Sequence, residues 1–477
     1  MLFNSFIFLI FLGVILPIFY LLPNKKSKNL FLLFSSYFFY GYWDWKFCSL
    51  LAISTIVDFY LGKKLFKENR EKQRKLYLTL SMVVNLGLLG VFKYFNFFVD
   101  SFSSLTSNFG YELDFLHLNI ILPVGISFYT FQTMSYTIDI YKREMEPTNS
   151  FIDFALFVSF FPQLVAGPIE RASNLLPQLH HKLRPNKDQI QKGIVLIVTG
   201  LFKKVMIGDT TGRYVDQLFG NPELYKSPEL LAGLILFSIQ IYADFSGYSN
   251  IARGTAKLLG VELMKNFEQP YLSTNITEFW RRWHISLSSW LKDYLYISLG
   301  GNRKGKVRTY INLFTTMLLG GLWHGAAWTF VIWGGLHGAY LAIHKAILGK
   351  KKVNISYKYT GIASLVNFSI KCLFTNIIVL FTWLFFRVKS LSEAKYFLSK
   401  MINWESSELT GIFVRITLTF VLVNFLIDFF EYKTNKHTPI LLIPNYGFQY
   451  GVLLVLLGTT LLYMFQSTPL PFVYFQF

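Results

Sequence analysis

TYINLFTTMLLGGLWHGAAWTFVIWGGLHGAYLAIH, residues Thr309 to His344, holds no Asp, Glu, Lys or Arg in 36 positions. As one straight helix it would run about 54 Å, nearly twice the hydrocarbon core of a bilayer, so it must cross, break and return. Gly320-Gly321 is the natural place for the break. The rest of the chain agrees with a membrane reading. Its 477 residues are 53% hydrophobic and 18% aromatic but only 15% charged, against about 25% charged in a soluble domain. Such a composition excludes disorder and describes an all-α polytopic integral membrane protein. The length holds on the order of ten transmembrane or re-entrant helices, which we read as a single membrane-embedded domain over 1–477.

Lys and Arg number 46 against 27 Asp and Glu, a net charge of +19. The bases are scattered through short loops rather than gathered on a soluble module, which excludes a nucleic-acid partner and matches the Lys/Arg excess of cytoplasmic loops. Cys48 and Cys372 have no CxxC spacing, so neither a disulfide framework nor a zinc site is expected. HExxH and GxSxG are both absent, which argues against a metal centre and a serine nucleophile.

Met1 to Leu22 reads as a first transmembrane helix, because it lacks the basic start and small-residue cleavage site of a signal peptide. Two apolar segments, Leu30–Trp43 and Phe47–Gly62, separate NKKSKN from the basic run Lys63–Lys75, so both basic loops fall on one side, the cytoplasmic one. The N-terminus is then outside. Tyr77–Phe92 returns outward, Ser101–Asn119 forms an external loop and Ile120–Tyr141 comes back. FPQLVAGP, residues 161–168, sets prolines and a glycine in an apolar run; a broken or re-entrant helix lining a cavity is expected there. Ile251–Tyr310 is the longest polar interval, with ten bases against four acids, and the same rule places it at the cytoplasmic face. Apolar segments and short basic loops alternate to the end. No internal repeat of the transporter kind is visible.

Within that interval, NITEFWRRWHISLSSWLKDYLY reads as one amphipathic helix, capped by Asn275 with Glu278 three residues on. Trp280, Trp283 and Trp290 lie on one face beside Arg281 and Arg282, as in a helix at the membrane interface; the arginines either anchor it there or attract an anionic donor. His284 sits at the edge of the apolar face. His324, in a charge-free stretch and flanked by Gly325, Ala326 and Ala327, is a functional candidate, since an ionisable group in such surroundings needs a cavity or a partner. His337 reads as a satisfied interhelical hydrogen-bonder. DFSGYSN puts Asp244 at the end of an apolar run, where it orients a histidine, pairs with an arginine, or merely caps a helix terminus.

FPQLVAGPIER (161–171), DFSGYS (244–249), FWRRWHISLSSWLKDYLYISLGGNRKG (279–305) and GGLWHGAAWTFVIWGGLHG (320–338) together resemble the membrane-bound O-acyltransferase (MBOAT) family, in its bacterial alginate O-acetyltransferase branch. The resemblance implies a many-helix fold around a tunnel, with the WHG histidine, His324, acting in acyl transfer and His284 of RRWH in support. Trp283 and Trp323 beside them, with Arg281, Arg282 and Asp244, become candidates for donor or substrate contact. Asn250 stands where relatives often carry aspartate. The implied reaction moves acetyl from acetyl-CoA, a cosubstrate rather than a bound cofactor, toward hydroxyls of an exported polysaccharide. It implies a multi-pass protein of the bacterial inner membrane and an extracytoplasmic SGNH-type partner. Alternatives are D-alanyl transfer to teichoic acid from a carrier-protein thioester, a polysaccharide exporter or flippase, and a structural scaffold.

Overall fold

The computed structural model describes residues 1–111, 117–118, 120–165, 167–349 and 361–475; part of the expected external loop and of FPQLVAGP lies outside them. Every regular element among these residues is helical. Two compact units emerge: 1–193 with 252–264, and 194–251 with 265–477. Among the described residues, six helical stretches are long and apolar enough to cross a membrane: Lys25–Lys67, Glu71–Asn108, Ser227–Leu258, Ile362–Arg387, Thr410–Thr434 and Tyr446–Gln466. Phe6–Leu21 is a shorter apolar helix. The two arms of the 309–344 stretch are not among the six, because glycine, threonine, tryptophan and histidine dilute their hydropathy.

The first unit begins with α1 (Phe6–Leu21), α2 (Lys25–Asp44), α3 (Cys48–Lys67), α4 (Glu71–Leu89) and α5 (Phe95–Asn108). It continues with α6 (Ile126–Tyr141), α7 (Phe151–Ser159), α8 (Phe161–Leu164), α9 (Ala172–Leu179) and the start of α10 (Lys187–Leu201). The expected external loop is shorter than the sequence suggests, since a π-helical turn at 90–94 carries α4 into α5 as far as Asn108. A polar knot ties α3, α4 and α6 together. Asp58 accepts from Ser81 Oγ at 2.5 Å and Asn85 Nδ2 at 2.7 Å, and Ser54 donates to Asn85 Oδ1 at 2.8 Å. Buried hydrogen bonds of this kind hold membrane helices together where apolar burial gives no preference over lipid.

The break expected in FPQLVAGP is present between α7 and α8, with Pro162 in the first turn of α8, where its missing N–H costs nothing. The freed groups are paired within the protein: Phe161 N–H donates to Ser36 Oγ at 3.1 Å, and the Phe157 carbonyl accepts from Gln132 and Gln163 at 2.6 and 2.7 Å. The break is therefore a packed feature, and the cavity lining expected of it is not what satisfies it.

The second unit contains the rest of α10, a π-helical turn at 202–209, α11 (Thr210–Gly220), α12 (Ser227–Leu258) as far as Ile251, α13 (Ile276–Arg282) and α14 (Ile285–Trp290). Next come α15 (Lys306–His324), α16 (Trp328–Leu348), α17 (Ile362–Arg387), α18 (Leu391–Ile402), α19 (Thr410–Thr434) and α20 (Tyr446–Gln466). DFSGYSN is not a helix terminus: α12 runs straight through it. α15 and α16 form the hairpin demanded by the 309–344 stretch, but the break falls at Gly325–Ala327 rather than at Gly320-Gly321. The glycines serve packing instead. A Cβ on Gly321 would lie 2.3 Å from Phe330 O and 2.9 Å from Gly334 Cα, so only glycine lets the two arms approach this closely.

Candidate functional site

Asn275 caps α13 by accepting the Glu278 N–H at 2.9 Å, as its spacing predicts. The amphipathic helix expected to follow is broken after Arg282. His284 adopts a left-handed backbone (φ 43°) and caps α14 with its own ring, Nδ1 accepting the Leu287 N–H at 3.4 Å. The chain turns there because Ile285 N–H is taken by Asn266 O at 2.9 Å and Ser286 Oγ by Asn266 Oδ1 at 2.6 Å. Consequently Trp280, Trp283 and Trp290 are buried in protein rather than laid on an interface.

The same break turns His284 inward. Its ring centroid lies 6.2 Å from that of His324, which ends α15 at the WHG turn. Phe245 of α12 packs edge-on to His284 at 4.6 Å. Around His324 stand Trp323 at 5.0 Å, Trp333 at 5.1 Å and Phe386 at 5.4 Å. Burial pushes the His284 imidazolium down to about 3. With Nδ1 accepting, its neutral ring carries the proton on Nε2. The two histidines that the sequence singles out thus meet in one aromatic chamber.

The other candidates have different partners. Arg282 is buried and forms an ion pair with Glu278 at 2.9 Å, while also donating to Glu268 O at 3.0 Å; it is committed to structure, whereas Arg281 is exposed. Among the described residues, Asp244 pairs with neither a histidine nor an arginine but with Lys204 at 3.0 Å. Trp323 touches both histidine rings, and Trp283 stacks on Phe279 at 5.5 Å one layer away. His337 accepts from Trp280 Nε1 at 3.2 Å on Nδ1, so its Nε2–H donates to Thr382 Oγ1 at 2.9 Å, the satisfied arrangement expected of it. No group of three or more metal-ligating side chains converges among the described residues.

One member of the chamber escaped the sequence reading. After α20 the chain runs through PLPFVYF, and Tyr474 lands with its ring 5.3 Å from His324 and 6.4 Å from His284. Its buried hydroxyl makes no hydrogen bond among the described residues, and burial pushes the phenol up, so it enters the site protonated. The only clue in the sequence is an aromatic run beyond the last apolar helix. Two imidazoles and a buried phenol thus share one chamber.

Comparison with known proteins identifies the family. The model of the "membrane-bound O-acyltransferase family" matches residues 30–350. A Pseudomonas putida protein named "Probable alginate O-acetylase AlgI" is 39% identical over 505 residues, covering 100% of both chains. Its Pseudomonas aeruginosa namesake is 41% identical over 452 residues, with 92% of this chain and 83% of the relative covered. The "Peptidoglycan O-acetyltransferase" of Helicobacter pylori is 37% identical over 407 residues, 80% of this chain and 75% of its own. Matched across most of its length in this way, the chain is a multi-pass membrane O-acyltransferase and belongs to the membrane-bound O-acyltransferase family.

Proposed function

We propose that this enzyme takes an acetyl group from cytoplasmic acetyl-CoA and passes it, by way of Tyr474, toward hydroxyls of an exported cell-surface polysaccharide. The observation that carries the reading is the buried Tyr474 side chain, whose ring lies 5.3 Å from that of His324, closer than the 6.4 Å to His284. His324 removes the phenolic proton as the oxygen attacks the thioester carbonyl. The C–S bond breaks, the thiolate recovers the proton from the imidazolium, and an aryl ester is left on Tyr474. His284, held by its cap to Leu287, flanks the reacting atoms. The relatives named for alginate and peptidoglycan O-acetylation support a polysaccharide as the final acceptor, reached through an extracytoplasmic partner that takes the ester onward. The location is the bacterial inner membrane, with the basic interval on the donor side.

The test is purified protein in proteoliposomes with labelled acetyl-CoA on one side. Label is expected on the peptide containing Tyr474. Tyr474→Phe should remove it, and His324→Ala should lower transfer by about 10²- to 10⁴-fold, the usual worth of a positioned general base. His344→Ala should be mild, because His344 is hydrogen-bonded to Thr277 at 2.7 Å, outside the chamber. Near wild-type transfer in the His324 variant would sink the assignment. Label accepted only from a D-alanyl carrier-protein thioester would replace the donor.

A further inference from the structure

The segment 467–475 is held by its backbone. Val473 N–H donates to Asp244 Oδ2 at 2.8 Å, and Lys204 Nζ donates to Leu470 O at 3.2 Å. These two side chains are paired with each other at 3.0 Å, and Lys204 makes a second ion pair with Asp209 at 2.5 Å. All three are almost wholly buried, with 1–4% of each side chain exposed. A buried lysine with two carboxylates is an expensive arrangement that apolar side chains would replace without loss if packing were its sole purpose. Here one carboxylate oxygen and the ammonium are both turned onto the incoming backbone.

The remaining grip is apolar. Phe472 is buried against Phe245 at 5.3 Å and Tyr248 at 4.7 Å. Pro469 and Pro471 bring no N–H donors and stiffen the approach. Phe245 touches Phe472, Tyr474 and His284 alike, so the residue beside Asp244 couples the held segment to the chamber.

We infer that the Lys204–Asp244 pair is a latch: two positioning residues that grip the backbone at Leu470 and Val473 and thereby seat Tyr474 against His324. The inference rests on the reading of Tyr474 as acceptor. A hydrogen bond to a charged, buried acceptor sustains about a tenfold or greater preference for the bound arrangement, and transfer scales with the fraction of molecules in which Tyr474 is seated. Asp209 holds Lys204 in turn, so it acts on the segment through the ammonium.

The experiment uses the full-length chain with Cys48→Ser, Cys372→Ala and the single probe Val473→Cys, a position 1% exposed in the seated state. Maleimide labelling of the probe is expected to be slow, to rise about tenfold or more with Asp244→Ala, and to rise less with Asp244→Asn, which keeps an oxygen for the residue-473 N–H. Thermal midpoints should confirm that every variant is folded. Acyl transfer to Tyr474, measured without the probe, should fall in step with the loss of protection. Unchanged labelling in Asp244→Ala overturns the latch. If labelling rises as expected while transfer does not follow it, the latch stands and the acceptor role of Tyr474 fails.

Discussion

Three imidazoles of the second unit show how neighbours assign roles to one residue type. His337 is clamped between a tryptophan donor and a threonine acceptor and has no valence left for chemistry. His324 ends a helix beside a buried phenol. His284 caps a helix and is held neutral by burial, with its folded value at about 3 against an ordinary 6.5. The lowered value fixes a sign. The unfolded chain takes up the proton first, so acid withdraws stability as pH falls from 6.5 toward 3, and above 6.5 the contribution is flat. Between pH 6.5 and 5 the loss from this ring is about 2 kcal/mol, set by the unfolded histidine alone. His284→Asn keeps both the left-handed backbone and an oxygen for the cap. Unfolding midpoints in detergent at pH 7 and pH 5 should therefore lie closer together in this variant than in the parent. An unchanged gap would mean that His284 is not the buried neutral ring described.

Among elements, the α15–α16 hairpin carries His324 and depends on the approach of Gly321 to Gly334. Gly321→Ala places a methyl group against a backbone carbonyl that has no rotamer to yield, so the arms must separate. Overpacking of this kind costs about 1–3 kcal/mol. The separation also moves the WHG turn, so activity should fall by more than the loss of folded protein explains. Thermal midpoint and specific activity, measured on the same preparation, separate the two effects. Gly458→Ala is the contrast, since nothing lies within 4 Å of its added Cβ and little should change.

At the scale of the molecule, the basic loops decide sidedness. We propose that Lys63–Lys75 and the 251–310 interval both face the cytoplasm, because both carry the Lys/Arg excess. Single cysteines at Asn69 and at Gly305, in a background without Cys48 and Cys372, should resist an impermeant thiol reagent applied outside intact cells and react fully once the cells are opened. Labelling of either from outside would overturn the topology and with it cytoplasmic entry of the donor.

The sequence by itself determined the membrane class, the positions of most helices, the break after α7 and the two histidines that share the chamber. The first three rest on local properties, hydropathy and proline chemistry, and His324 stands out by its charge-free run, whereas His284 joins it through the RRWH motif of the resemblance. Tertiary structure alone decided which apolar faces meet protein. Trp280, Trp283 and Trp290 look the same to a hydropathy argument whether they meet lipid or other helices, and they proved buried. Partners distant in the chain were equally out of reach. Arg282 is neutralised by Glu278 but shielded beneath Tyr432, and Asp244 meets Val473 across 229 residues of sequence. Tyr474 reaches His324 only because a buried ion pair and a phenylalanine cluster seat its segment there, and no periodicity records a contact of that kind.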